Sequence, residues 1–473
     1  MELRADGAVL RDEHGRQRIL HGINLVDKGA PGATDPAAFR GRWTDEDLDQ
    51  LVGIGLDSVR LGLSWAATEP RPGEYSAEHL DWIEEQLDRC HRAGMSVVLD
   101  AHQDLFSQRW GNGAPEWATL TEEPFEDTEL WSDAYLSSPA VHEAYDAFWA
   151  DAPGPDGVGI QTRLAAMWAA VAERFAGHPA LIGYDLLNEP TPGAGAATAF
   201  EAVIGAFAQE TGQDPRAVAL DFTDPGAKLA QLAHLEDPAV HRRVGDVVAP
   251  LLAGFEQEAV HGLFTRAVPG IRAHDPHGLI LREHSYFSNI GIPAAIPPLE
   301  DRAWAYSPHG YDLVVDTEAM PLASDRRVET IFTRAAETAD HLGVPVIAGE
   351  WGAFGDHVGI SRHATHQLDL FDRFGWSWFY WCWTETFARS EAAGCLRRPR
   401  PVAVAGRELR WGAVPGGWHA AWQGEPGGGH SEFWVPAERP VRLLRDEQVQ
   451  EVDRDGGRVR VAAGAGHHEL LVS

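Results

Sequence analysis

Along most of the chain, short β-branched or apolar runs alternate with longer segments of helical periodicity, the pattern of repeated βα units around a parallel sheet. Ile19 to Asn24 reads as a first strand. TDEDLDQLVGIG follows as a helix with Thr44 at its N-cap and acids in its first turn, and LDSVRLG reads as a second strand. Ser76 to Ala93 is amphipathic and stops at Gly94, after which MSVVLDAHQD is a buried strand running into polar residues. A fourth unit pairs a helix over Gln161 to Phe175 with HPALIGYDLLNEP, whose end carries Asn188 and Glu189 before Pro190. GLILREH, RAWAYSPHGYD, VPVIAGEWG and GWSWFYWCW supply four more strands, with helices over Ala253 to His274, Asp325 to Leu342 and Ser361 to Phe374; the helix between the fifth and sixth strands is short or missing. Eight strands with mostly helical crossovers predict an α/β fold, a (β/α)8 TIM barrel.

Two insertions interrupt the repeat: residues 104–160, rich in Trp, Pro and acids, and residues 190–252, rich in Ala, Gly and Asp. Each follows a strand's C-terminal end, the face of a barrel that carries its site, so both are expected to build walls or lids for a substrate. Past residue 392 the pattern changes to short alternating runs separated by Gly and Pro, among them RELRWGAV, EFWVP and RVRVAAG. The expected organisation is a barrel over 1–392 and a small C-terminal β-sandwich over 393–473.

Composition narrows the function classes. Hydrophobic residues make up 44%, aromatics 9% and charged residues 23% of 473 residues, which places the chain among folded globular proteins. With 39 Lys+Arg against 71 Asp+Glu the formal net charge is -32, so nucleic-acid binding is disfavoured, as is attraction to an anionic bilayer. Three cysteines, Cys90, Cys382 and Cys395, show neither CxxC nor zinc-site spacing. The first twenty residues have no apolar core behind their charges, and no run of about 18 apolar residues occurs. The chain as given is expected to be cytoplasmic, although one trimmed of a secretion signal would read the same.

Polar and ionisable residues stand where strands end: Arg60, His102 with Asp104, Asn188 with Glu189, His309 with Tyr311, Glu350 and Trp381. In a barrel these positions converge on one mouth, and burying so many ionisable groups without a function is costly. Glu189 and Glu350 end the fourth and seventh strands. Two carboxylates across one mouth are the minimal equipment for glycosidic hydrolysis: one protonates the leaving oxygen, the other attacks the anomeric carbon or activates water. Arg60 is a candidate cation to keep one of them ionised.

LNEP at a strand end, a later Glu in AGEWG, the Arg of SVRLG, the His of LDAHQD, the HxY element of SPHGYD and the Trp-rich final strand resemble glycoside hydrolase family 5, over residues 19 to about 385. GINLVDKG, LDAHQDLFSQRWGNGAP and the C-terminal β-sandwich resemble its endoglycoceramidase branch. The resemblance implies a retaining hydrolase of the bond between glycan and ceramide, with Glu189 as acid/base and Glu350 as nucleophile. It implies Asn188 on the sugar 2-hydroxyl, Tyr311 and Arg60 orienting Glu350, and His309 flanking the acid/base. Lys28, His102 and Asp104 would hold hydroxyls of the sugar beside the nucleophile, and Trp381 would form the platform beneath its ring. Glu283 has no counterpart in that pattern; it could contact substrate on the aglycone side, and its plainer reading is a pair with Arg282 or another basic residue.

Other readings remain at this point: an exo-acting β-glucosidase on glucosylceramide, steryl glucoside or small β-glucosides, a β-glucanase, a non-catalytic sugar-binding barrel, or a metal-dependent barrel enzyme. The His and carboxylate set suits hydrogen bonding and acid/base work better than a recognisable ligand set, so no metal is expected. No phosphate loop or dinucleotide fingerprint appears, so no cofactor is expected. The expected partner is a glycolipid or other β-glycoside, with no nucleic acid, no integral membrane association and at most transient contact with a lipid or micelle surface. A lipid aglycone needs an apolar slot, for which the insertions offer Leu105, Phe106, Trp110, Trp117 and Trp131, and Phe200, Ile204 and Phe207.

Overall fold

The computed structural model describes residues 1–425, 429–462 and 464–473. Eight parallel strand positions run in chain order: β1 (His21–Leu25), β2 (Ser58–Leu63), β3 (Ser96–Ala101), β4 (Leu181–Asp185), β5 (Leu279–Arg282), β6 (Trp304–Tyr306, resumed at His309–Gly310), β7 (Ile347–Gly352) and β8 (Ser377–Trp381). Each pairs with the next, β6 reaches β7 through His309↔Glu350, and β8 returns to β1 through Phe379↔Gly22, so the sheet closes. This is the expected (β/α)8 barrel, its strands buried on both faces as a parallel sheet under helices requires.

Local signals hold at several boundaries. Thr44 and Asp47 form a reciprocal capping box on the helix Asp45–Gly53, and the helix Ala77–Ala93 stops at Gly94 in the left-handed conformation. The fifth crossover holds no long helix, only the turn Tyr286–Ile290. The helix expected over Ala253 to His274 begins earlier: Pro238–Gly254 runs on through a π segment, Phe255–Val260, into His261–Arg272. The second insertion is helical, with Gly195–Thr211 and three further α-helices, each capped by an aspartate, Asp214, Asp224 or Asp237, ahead of a proline.

The C-terminal strands form two sheets that share one core of Trp411, Trp418, Trp422, Phe433, Val459 and Leu470. One boundary needs correction. Leu3–Asp6, Val9–Asp12 and Gln17–Arg18, expected within the barrel unit, extend a sheet of this sandwich by pairing with Arg400–Val404. Alternation in a short strand says which side is buried and nothing about which sheet it joins. Leu3 and Leu10 pack against Leu20, Val98, Ile182 and Phe379, so the strands close the barrel floor opposite the site.

Candidate active site

At the barrel mouth Arg60, on β2, is fully buried. It reaches Asp185 at 3.0 Å, Asn24 at 3.1 Å, Glu350 at 2.7 Å, Asn188 at 3.0 Å and Glu283 at 3.0 Å, with Asp100 at 2.9 Å. Burial works against its charge, yet Asp100, Asp185, Glu350 and Glu283 hold the guanidinium well above its ordinary range. Burial raises Asp100 and Asp185 to about 6 despite that cation, and it pushes Glu283, next to Asp185, to about 8.

Glu350, at the end of β7, accepts from Arg60 on Oε1 and from the Tyr311 hydroxyl on Oε2 at 2.6 Å. Glu189 follows β4 with φ of +45°, an uncommon conformation for a side chain of its size. Its backbone N–H donates to Glu283 Oε2 at 2.7 Å and Gln103 reaches its carbonyl at 3.3 Å, two contacts that hold the strained turn. Its Oε1 accepts from Asn289 Nδ2 at 2.6 Å and lies 3.0 Å from His309 Nδ1. An oxygen of Glu189, an oxygen of Glu350 and a nitrogen of His309 all lie within 4.8 Å of one another. Burial, countered by His309 and Arg60 and reinforced by Glu189, raises Glu350 to about 8. Burial disfavours the charged form of His309 too, but Glu283 and Glu350 carry it well above the imidazole range.

The remaining expected residues converge on the same mouth. Asn188 accepts from Arg60 and donates one Nδ2 proton to the Gln103 carbonyl at 3.0 Å, leaving its second for a ligand. His102 Nδ1 lies 2.8 Å from Asp100, and its ring stacks on Trp381 with centroids 5.0 Å apart. Lys28 pairs with Asp104 and lies 4.8 Å from the Trp381 ring centre. Asp104, despite burial, is held below the carboxylate range by Lys28 and His102.

Glu283 does not pair with Arg282. Alternation along β5 turns the two apart: Glu283 joins Arg60 inside the barrel, whereas the Arg282 guanidinium lies 4.4 Å from the Phe264 ring centre. Asn289, Gln103 and Asp100 are functional neighbours that sequence reasoning missed. Asp100 could have been found, since it points the same way as His102 at the end of β3; nothing local marks Asn289. Two triads, Asp185–Glu283–His309 and Glu189–His309–Glu350, have ligand atoms close enough to hold a metal ion. In both, Arg60 or a positively charged His309 faces the carboxylates.

A cavity of about 870 Å³ opens from this cluster. Lys28, His102, Glu189, Glu350 and Trp381 line its polar end; Phe200, Val203, Phe207, Phe222, Val244 and Ile292 line an apolar wing. Of the aromatics and aliphatics expected there, Trp131, Phe200 and Phe207 line the cavity. Leu105, Phe106, Trp117 and Ile204 pack inside the fold, Phe106 against Tyr145 and Trp117 against Trp65, and Trp110 stacks on Phe125.

A model of the cellulase family, glycosyl hydrolase family 5, matches residues 28–386. The chain belongs to that family. Endoglycoceramidase I of Rhodococcus hoagii (strain 103S) is 38% identical over 192 residues, covering 40% of this chain and 37% of that protein. An endoglycoceramidase of Hydra vulgaris is 29% identical over 201 residues, 38% of this chain and 39% of its own. The chain thus spans about two fifths of the length of these curated relatives. Among solved structures, endo-glycoceramidase II from Rhodococcus sp. with a five-membered iminocyclitol superposes over 99% of both chains at 25% identity and a TM-score of 0.73. A crystal structure of endogalactoceramidase covers 100% of both at 25% identity and a TM-score of 0.70.

Proposed function

We propose that this family 5 member is a retaining β-glycosidase that cleaves glycan from ceramide in glycosphingolipids. The observation that carries the reading is the approach of Glu189 and Glu350 oxygens to within 4.8 Å at the inner end of a cavity with an apolar wing. Retaining pairs lie about 5–5.5 Å apart, whereas inverting pairs leave roughly 6.5–9.5 Å for a water.

In the first displacement Glu350 attacks the anomeric carbon while Glu189 passes its proton to the glycosidic oxygen, which leaves as the lipid alcohol. In the second, Glu189 takes a proton from water and the hydroxide displaces Glu350 with net retention. Asn188 offers its free Nδ2 proton to the sugar 2-hydroxyl, a contact that strengthens as positive charge builds at the ring. Arg60 and Tyr311 hold Glu350 for attack; His309 flanks Glu189. Lys28, His102 and Asp104 take the hydroxyls of that sugar above Trp381. The apolar wing suits an acyl chain better than a second run of sugars, and the names of the Rhodococcus and Hydra relatives point the same way. Transient contact with a lipid surface fits the exposed Leu220, Val247, Leu251, Leu322 and Val358, which sit on the second insertion and on the loops after β6 and β7. Among the described residues no helix is long and apolar enough to cross a membrane.

Mass spectrometry of products from lactosylceramide, glucosylceramide, galactosylceramide-series glycolipids and cellotriose tests this. Release of intact lactose with free ceramide is expected. Cleavage of glucosylceramide alone would replace the endo reading with an exo one, and cellotriose turnover as efficient as that of the glycolipid would move the enzyme to the glucosidases.

A further inference from the structure

A chain of buried groups behind Glu189 takes no part in the two displacements. Asn289, on the turn after β5, donates to Glu189 Oε1 at 2.6 Å; its own Oδ1 lies 3.0 Å from His284 Nε2, and His284 Nδ1 lies 2.8 Å from the Tyr306 hydroxyl at the break in β6. All three side chains are buried. The segment carrying Asn289 is pinned at both ends, because Glu256 in the π segment accepts from the backbone N–H groups of Ser285 and Ala295.

The direction of the chain follows from proton counting. Burial and the nearby positive His309 push His284 down to about 3, so its ring is neutral and owns one N–H and one lone pair. With Asn289 donating to Glu189, its oxygen faces His284 and can only accept, so Nε2 carries the proton and Nδ1 accepts from Tyr306. Every donor then points toward the Glu189 carboxylate, and aligned donors reinforce one another. The backbone N–H of His309 lies 3.2 Å from the same Nε2 and is satisfied only by the opposite tautomer. Two claims on one nitrogen make His284 the place where the direction is chosen.

We propose that Asn289 is a positioning residue for the acid/base Glu189, and that His284 and Tyr306 set which way its amide points, stabilising the carboxylate left after proton donation. The inference rests on the acid/base assignment above. The titratable and charged groups facing Glu189 are His309 on β6, Glu350 on β7, Glu283 beyond β5, Tyr311 and Asp316 beyond β6, Tyr135 and Tyr145 in the first insertion and Tyr286 on the turn of Asn289. Of these His309 donates to the same Oε1, at 3.0 Å against 2.6 Å for Asn289, so Asn289 is the shorter of two donors there.

The test is kcat/KM against pH on two β-lactosides, one with a dinitrophenyl and one with an alkyl leaving group, because only the poor leaving group needs the proton. Asn289→Ala is expected to lose about ten times more on the alkyl than on the dinitrophenyl lactoside. Its basic limb should move up by about half a pH unit or more, since a lost donor raises the proton affinity of the acid. His284→Phe should act in the same direction, and His284→Gln, which keeps one N–H donor and one oxygen, should recover most of the loss. Equal losses on both lactosides with an unmoved limb would reduce the chain to packing and overturn the proposal. A wild-type enzyme inert on both lactosides would overturn the acid/base reading itself, whereas an active wild type with an Asn289→Ala variant identical to it would overturn this inference alone.

Discussion

In the proposed reaction Glu189 and Glu350, with the same side chain, divide two tasks, and their hydrogen bonds bear on the division. Both oxygens of Glu350 accept, one from Arg60 and one from Tyr311, so a proton there would cost a charged or a short contact. Glu189 takes both of its side-chain partners on Oε1, which leaves Oε2 for the proton to be donated. Burial nonetheless raises Glu350 to about 8 against the pull of His309 and Arg60. The nucleophile must be ionised to attack, so kcat/KM on an activated glycoside is expected to fall as pH drops below about 8. A profile on that substrate that stays level down to pH 5 would contradict a raised Glu350. Truncation separates the roles. Glu350→Ala should abolish turnover of every substrate, and Glu189→Ala should lose ~10²–10⁴-fold on an alkyl glycoside. On a dinitrophenyl glycoside the same variant should still form the glycosyl-enzyme, with azide yielding a β-glycosyl azide. Equal losses on both substrates would reverse the assignment.

Single elements bring this chemistry and its substrate together. The turn Tyr286–Ile290 replaces a crossover helix, which lets Asn289 approach Glu189 from the side of β5. The second insertion supplies the apolar wing through helix Gly195–Thr211 and the end of Pro215–Asp221, where Phe200 and Phe222 are half-buried and face the cavity. Losing one such ring removes about 1.5–3 kcal/mol of apolar contact, roughly ten- to a hundredfold in binding. Phe200→Ser and Phe222→Ser are therefore expected to raise KM for a ceramide glycoside by about tenfold while changing kcat/KM for an aryl glycoside by less than about twofold. If both substrates suffer alike, the insertion supports the fold and does not hold the lipid.

Across the whole molecule the floor and the mouth of the barrel have separate guardians. The first strands close the floor and tie it to the C-terminal sandwich, while the long insertions at the mouth pack into the barrel core through residues such as Phe106, Phe148 and Phe207. The net charge of -32 bears on the proposed contact of that mouth with lipid. An acidic protein is repelled by an anionic surface over a Debye length of about 10 Å at 0.1 M salt. Glycolipid in vesicles rich in anionic lipid should be cleaved more slowly than in zwitterionic vesicles at low salt, and added salt should narrow the gap. Equal rates at low salt would mean that the face meeting the membrane does not share the charge of the whole.

The sequence by itself determined the βα repeat, the strand ends that bear Arg60, Asn188, Glu189, His309, Tyr311 and Glu350, and the change to a β-sandwich, because periodicity and capping act over a few residues and leave a local trace. Thr44 shows how closely, its capping box being complete. Only the tertiary structure decided the partner of Glu283, the sheet joined by residues 3–18, the loss of Leu105, Phe106, Trp110, Trp117 and Ile204 to packing, and the place of Asn289. These depend on closing a barrel, which brings β2 against β5 and the first strands against Arg400–Val404. Local pattern tells which face of an element is buried; which buried groups then meet is set by chain closure over hundreds of residues, and that leaves no trace in the spacing.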